Sequence, residues 1–244
     1  MNKTPARPNA PPASKQAIQH FLQKVKTTPL AHAHGSGRLI FAVDATMSRQ
    51  RLWDQASQLQ AEMFLSAGNA TGLQVQFVYY RGLRELNCSD WVTDANALVR
   101  AMTSVYCMAG QTQIGRVLAH GKSESLKRKV QALVFVGDAL EEDASGLLRQ
   151  AGELGIIGAP VFMFQEGYDA SVEAVYKDTS RLSGGAWCRF DEGSAEQLKE
   201  LLGAVAEYAR GGLPALEAYS RRGGPRLLEL RRQLPGPKID TKTP

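Results

Sequence analysis

A chain of 244 residues with 43% apolar side chains is long enough for one large domain with tails, and rich enough to fill its core. Its net charge of +5 sits in its ends: residues 1–26 carry five Lys/Arg and no acid, residues 212–244 carry seven against three acids, and residues 27–211 sum to −4. A nucleic-acid function therefore finds no support in the body of the chain. No run reaches the ~18–20 apolar residues of a membrane span, and three widely spaced cysteines, Cys88, Cys107 and Cys188, do not make a disulfide framework or a paired-thiol metal site.

The first segment, MNKTPARPNAPPASKQ, lacks the apolar stretch of a secretory signal, so a reducing, cytoplasmic location is expected. Residues 1–13 hold four prolines and little that packs. A helix is expected over 14–26, and residues 1–37 together form a basic N-terminal extension. From there apolar strands and amphipathic helices alternate. LIFAV (39–43) is a strand, 51–67 a helix, and LQVQFVYY (73–80) a strand. RELNCSDWV (84–92) is an edge strand turning into a loop. Helices follow at 94–106 and 113–125, then a strand, VQALVFVGD (130–138). A helix over 144–154, a strand at 159–165, a helix over 170–182, a short strand at 185–190 and a helix over 194–210 complete the series.

Continuous apolar strands between amphipathic helices predict a doubly wound α/β domain over 38–211. Its sheet is mostly parallel, of about six strands with one antiparallel edge strand, flanked by helices on both faces. Residues 212–244, with Gly-Gly and Pro-Gly breaks and a short helix near 225–234, form a basic C-terminal tail, expected to be solvated, with docking to an acidic partner, RNA or an anionic surface as the alternative.

Two strands end in a carboxylate. Asp44 follows LIFAV and Asp138 follows VFVG, which puts both at the carboxyl edge of the sheet, where ligands of open α/β sheets bind. A carboxylate beside a hydrophobic interior is costly unless compensated. Thr46 and Ser48 add neutral oxygens two and four residues beyond Asp44. An all-oxygen set selects a hard cation: Mg²⁺, with Mn²⁺ and Ca²⁺ as alternatives.

The three elements Asp44-Ala45-Thr46-Met47-Ser48, AGQTQIG (109–115) with Thr112, and VFVGD ending in Asp138 resemble the metal-ion-dependent adhesion site of the von Willebrand factor A family. They occur in the family order, and the resemblance spans about residues 38–211. It implies a divalent cation held by Asp44, Thr46, Ser48, Thr112 and Asp138, with one position open to an Asp or Glu of a protein partner. The stretch from Asp44 to Phe64 is also similar to stand-alone bacterial cytoplasmic members, some of them in stress-response systems. Thr46 stands where the family has Ser, which keeps the hydroxyl. Ala139 stands where it often has Gly, which matters if that backbone needs a positive φ.

Other residues read more plainly. Glu141, Glu142 and Asp143 are expected to favour the N-terminus of the following helix through its dipole, with Glu141 and Trp91 as rim residues for a partner. Cys107 and Cys188 read as packing, Cys88 as accessible, and His32 and His34 as a solvated turn. No nucleophile and base stand together, so an enzyme is not expected. The alternatives are a Mg²⁺-dependent hydrolase or phosphotransferase built on Asp44, and nucleic-acid binding through the basic tails.

Overall fold

The structure is a computed structural model that describes residues 37–47, 73–190, 195–220, 230 and 232–234. The helices expected over 14–26 and 51–67 lie outside the described residues, as do His32, His34 and Ser48. The described elements run β1 (Gly37–Asp44), β2 (Leu73–Arg81), β3 (Glu85–Val92), α1 (Ala95–Thr103), α2 (Ile114–Lys127), β4 (Ala132–Gly137), α3 (Ala144–Ile156), β5 (Val161–Glu166), α4 (Ala170–Ser183), β6 (Trp187–Phe190) and α5 (Ala195–Ser220).

One six-stranded sheet has the order β3-β2-β1-β4-β5-β6. Every neighbouring pair is parallel except β2 and β3, so β3 is the antiparallel edge. β1 is buried along its whole length, and its alternate residues feed two cores. Leu39, Phe41 and Val43 join α1 and α5 on one face; Ile40 and Ala42 join α2, α3 and α4 on the other. Both faces are thus covered, and strands of this kind read as unbroken apolar runs. This is the doubly wound α/β arrangement expected from the alternation. No described helix is long and apolar enough to cross a membrane.

Asp94, Asp143 and Asp169 cap α1, α3 and α4 by accepting N–H groups of the first turn. α2 is different. Its N-cap, Gln113, makes no side-chain cap bond. Glu142 reaches over from the loop after β4 and accepts from the N–H of Ile114 and of Gly115. The acids after Asp138 were expected to serve the helix that follows them. Only Asp143 does; Glu142 serves the helix before, because the loop folds back onto its exposed N–H groups.

The far end departs most from expectation. α5 runs past residue 210 to Ser220, kinked at Gly212 (φ 65°, ψ −156°), a backbone region essentially restricted to glycine. Beyond the kink Leu216 returns to the core, and so do Leu230 and Leu234, in the cluster that holds Leu39 and Phe41. Gln233 accepts from Trp187 N–H (2.7 Å) and donates to Trp187 O (2.6 Å), which pairs the first residue of edge strand β6. Three leucines of this segment are therefore packed into the core, while Arg232 and Gln233 between the last two stay exposed. Leu230→Ala removes a wholly buried side chain, and we expect it to lower the unfolding free energy by about 2–5 kcal/mol, read from urea denaturation.

Candidate metal site at the switch point

From β1 the chain winds outward through β2 and β3, then crosses back to β4 on the other side of β1. The crevice beyond β1 and β4 is therefore the topological switch point of the sheet. Val43 pairs with Val136, so Asp44 stands one residue past that rung and Asp138 two. The fold thus brings both carboxylates to the same edge.

A cavity of about 320 Å³ opens there, lined by Thr46, Met47, Ala109, Gly110, Thr112, Asp138, Ala139 and Glu141. Asp44 lies behind it, fully buried. Its Oδ1 accepts the Thr46 N–H (2.7 Å), which turns the chain at once after the strand. Its Oδ2 accepts the Tyr80 hydroxyl (2.9 Å). Burial, followed by the charge of Asp44, pushes the Tyr80 pKa well above its usual value, so Tyr80 remains a proton donor. Tyr80 went unnoticed in the sequence. It lies 36 residues away, and only the pairing of Asp44 with Tyr80 across β1 and β2 reveals it.

The Thr112 loop is tied on three sides. Met108 N–H donates to Ala45 O (3.1 Å), and Gln111 N–H to Gly82 O (3.2 Å) in the β2–β3 turn. Gly110 sits so close to that turn that a Cβ would come within 2.2 Å of Gly82 O. Thr112 and Glu141 bond reciprocally: the Thr112 N–H donates to Glu141 Oε2 (2.9 Å), and the Glu141 N–H donates to Thr112 Oγ1 (2.9 Å). One lone pair of the threonine hydroxyl is used there; a second remains. With Glu142 on Ile114 and Gly115, these bonds lock the loop of Asp138 against the loop of Thr112.

Asp138 is half-buried, and its Oδ1 is wholly buried with no hydrogen-bond partner. A buried carboxylate oxygen lacking a donor is expensive, and a cation is its natural mate. The donors around the cavity are carboxylates and hydroxyls. Among the described residues no group of three or more His, Cys, Asp or Glu could hold a metal, so any ion here depends on the threonines as well as the acids. The residues present fit a hard divalent cation. Ala139 has no positive φ, so the exchange of Gly for Ala carries no strain; its carbonyl accepts the Tyr176 hydroxyl (2.9 Å).

Trp91 is not in the cavity lining. Its indole N–H donates to Glu124 Oε2 (2.8 Å), and the Arg38 guanidinium lies 3.7 Å over its ring. Because β3 is antiparallel, its last residues lie level with the start of β1, away from the carboxyl edge; Glu141 is the rim residue that lines the cavity.

No known family's sequence profile matches this chain, and no curated protein does either. Solved structures do. The chain is similar to the VWA domain of SpRpn10 (TM-score 0.54, 10% identity, 68% of this chain and 95% of that one). It is also similar to an aerotolerance-related membrane protein of Bacteroides fragilis (TM-score 0.53, 13% identity, 70% and 98%). A third is proximal thread matrix protein 1 of the mussel byssus with a zinc-occupied MIDAS motif (TM-score 0.55, 17% identity, 72% and 46%). At these identities the likeness establishes the fold, which is that of a von Willebrand factor A domain.

Proposed function

We propose that this chain is a metal-dependent protein-interaction module. Asp44, Thr46, Ser48, Thr112 and Asp138 would hold one divalent cation, with Mg²⁺ the expected ion, and a protein partner would dock with an Asp or Glu side chain. The orphaned Oδ1 of Asp138, a residue that lines one cavity together with Thr46 and Thr112, is the observation that carries this reading. A bound cation supplies a Lewis-acidic position able to accept a carboxylate oxygen. The chain's own residues do the rest. Asp44 contributes charge and fixes Thr46; Glu141 fixes Thr112; Tyr80 holds Oδ2 of Asp44 by a hydrogen bond from the core.

The rim narrows the kind of partner. Of the large apolar side chains exposed among the described residues, Met47, Leu83, Tyr106, Met108 and Tyr168 all sit on loops at the carboxyl edge of the sheet. Leu126, Ile156 and Leu182 lie near the far ends of α2, α3 and α4. A partner acid flanked by apolar residues matches such a surface, since methionines adapt to varied shapes. The stand-alone, stress-linked character implied by the sequence resemblance belongs to this same proposal.

Titration calorimetry of the full chain with Mg²⁺, Mn²⁺ and Zn²⁺ tests it. We expect uptake at one site, lost in Asp138→Ala, and capture of a lysate protein that EDTA reverses. No uptake at millimolar ion, with the wild-type chain folded, overturns the proposal.

A further inference from the structure

Edge strand β3 carries a bulge. Gln76 pairs with Trp91, whereas Val78 pairs with Cys88, so Phe77 faces two residues, Ser89 and Asp90. The Phe77 N–H donates to Ser89 Oγ (3.0 Å). In an unbroken strand residues 88 and 91 would point to opposite faces. The extra residue turns both toward α2, where Trp91 meets Glu124 and Cys88 meets His120. Bulges re-aim side chains in this way beside reactive sites.

Cys88 is exposed, and its Sγ lies 3.8 Å from His120 Nδ1. His120 Nε2 is 2.8 Å from Gln76 Oε1, and Gln76 Nε2 donates to Ser89 O (2.9 Å). The bonds assign the tautomer. Ser89 O can only accept, so the buried Gln76 amide turns its nitrogen to Ser89 and its oxygen to His120. That oxygen also only accepts, so His120 Nε2 bears the proton. In the neutral ring Nδ1 is then a lone pair directed at the thiol.

The charged groups around the pair are Glu124, Arg116 and Lys127 of α2. Burial lowers the His120 pKa, with Glu124 opposing and Lys127 assisting, so the ring is neutral at pH 7 and its Nδ1 lone pair is free. Burial and then Glu124 raise the Cys88 pKa, with Arg116 offsetting part, so the resting form is the thiol.

We propose that Cys88, His120 and Gln76 form a second reactive centre, in which His120 acts as general base for thiol–disulfide exchange with low-molecular-weight disulfides. Cys88 sulfur attacks one sulfur of the incoming disulfide as its proton passes to His120 Nδ1. The old S–S bond breaks, and the departing thiolate takes that proton and leaves as a thiol. Electrons and protons balance: one disulfide and one thiol give one mixed disulfide and one thiol. Cys107 and Cys188 are buried in the core of the opposite face. The mixed disulfide on Cys88 therefore persists until an external thiol removes it.

The test incubates the full chain with glutathione disulfide and follows the Cys88 adduct by mass spectrometry between about pH 5 and 9. The wild-type rate should reach a plateau once His120 is neutral, well below the rise of an ordinary thiol near pH 8.5. His120→Gln should lose that plateau and react about tenfold or more slowly at pH 7. Cys88→Ser should form no adduct there. A wild-type profile that follows a single thiol ionisation at or above pH 8.5 overturns the proposal, and this outcome needs no variant to fold. So does a folded His120→Gln chain whose profile coincides with wild type.

Discussion

Glu124→Ala should lower the unfolding free energy by about 3–5 kcal/mol, the cost of stripping one partner from a buried ion pair. Glu124 Oε2 accepts from Arg38 Nη2 (2.9 Å) and from the Trp91 indole (2.8 Å), and Oε1 from Lys127 Nζ (2.7 Å). Without it the buried Arg38 keeps its charge, with the Arg128 carbonyl (2.6 Å) and the Trp91 ring as its company among the described residues. The start of β1, the end of β3 and the end of α2 then lose their common tie. The same carboxylate shapes the acid limb. Burial alone raises its pKa, but the bonds from Lys127, Trp91 and Arg38 outweigh that and bring it from 4.5 down to about 2. A folded-state pKa below the unfolded one gives stability that is present above about pH 4.5 and is lost as pH falls toward about 2. Urea midpoints measured across that window should slope less in Glu124→Gln than in the wild type. An equal slope in both would remove Glu124 from the acid limb.

The two site aspartates should respond to removal very unequally. Asp44→Ala leaves the buried Tyr80 hydroxyl and the Thr46 N–H without their acceptor. At about 1–3 kcal/mol for each, the metal-free protein should lose about 2–6 kcal/mol. Asp138→Ala deletes an oxygen that no donor satisfies, so the metal-free protein should lie within about 1 kcal/mol of wild type or above it. Adding a divalent ion should reverse the comparison. An ion at a hundred times its dissociation constant stabilises the wild type by about 2.7 kcal/mol and leaves Asp138→Ala unmoved. Melting curves of the three chains, in EDTA and in excess Mg²⁺, measure all of this. A large loss for Asp138→Ala in EDTA would mean that Asp138 is an ordinary structural acid.

What the sequence disclosed, and what it hid, follows the range of each interaction. β1 and β4 were legible because strands buried on both faces must be apolar throughout, and because a charged residue closing such a run stands out. Thr46 was legible as a neighbour of Asp44, two residues along the same loop. Tyr80 was not, since LQVQFVYY offers two adjacent tyrosines and only the strand register makes one of them a partner. Glu142 looked like an N-terminal charge for its own helix; only the folded loop shows that it serves α2. The bulge at Ser89 and Asp90 adds one residue to an alternating pattern that was already irregular, and the antiparallel course of β3, which carries Trp91 away from the carboxyl edge, is not written in RELNCSDWV at all. Leu230 and Leu234 were hidden among glycine, proline and arginine, which mark breaks in helices without saying where the chain goes next.

A primary amide is, chemically, a peptide group on a tether, and Gln233 offers one to β6 much as the backbone of a seventh strand would. The margin of the sheet is in this sense corked by a side chain. While it is in place, another strand approaching that margin meets the Trp187 position already paired. A proteolytic nick ahead of residue 230 would uncork it, offering β6 to whatever extended segment comes first and turning a self-limited sheet into a growing ribbon.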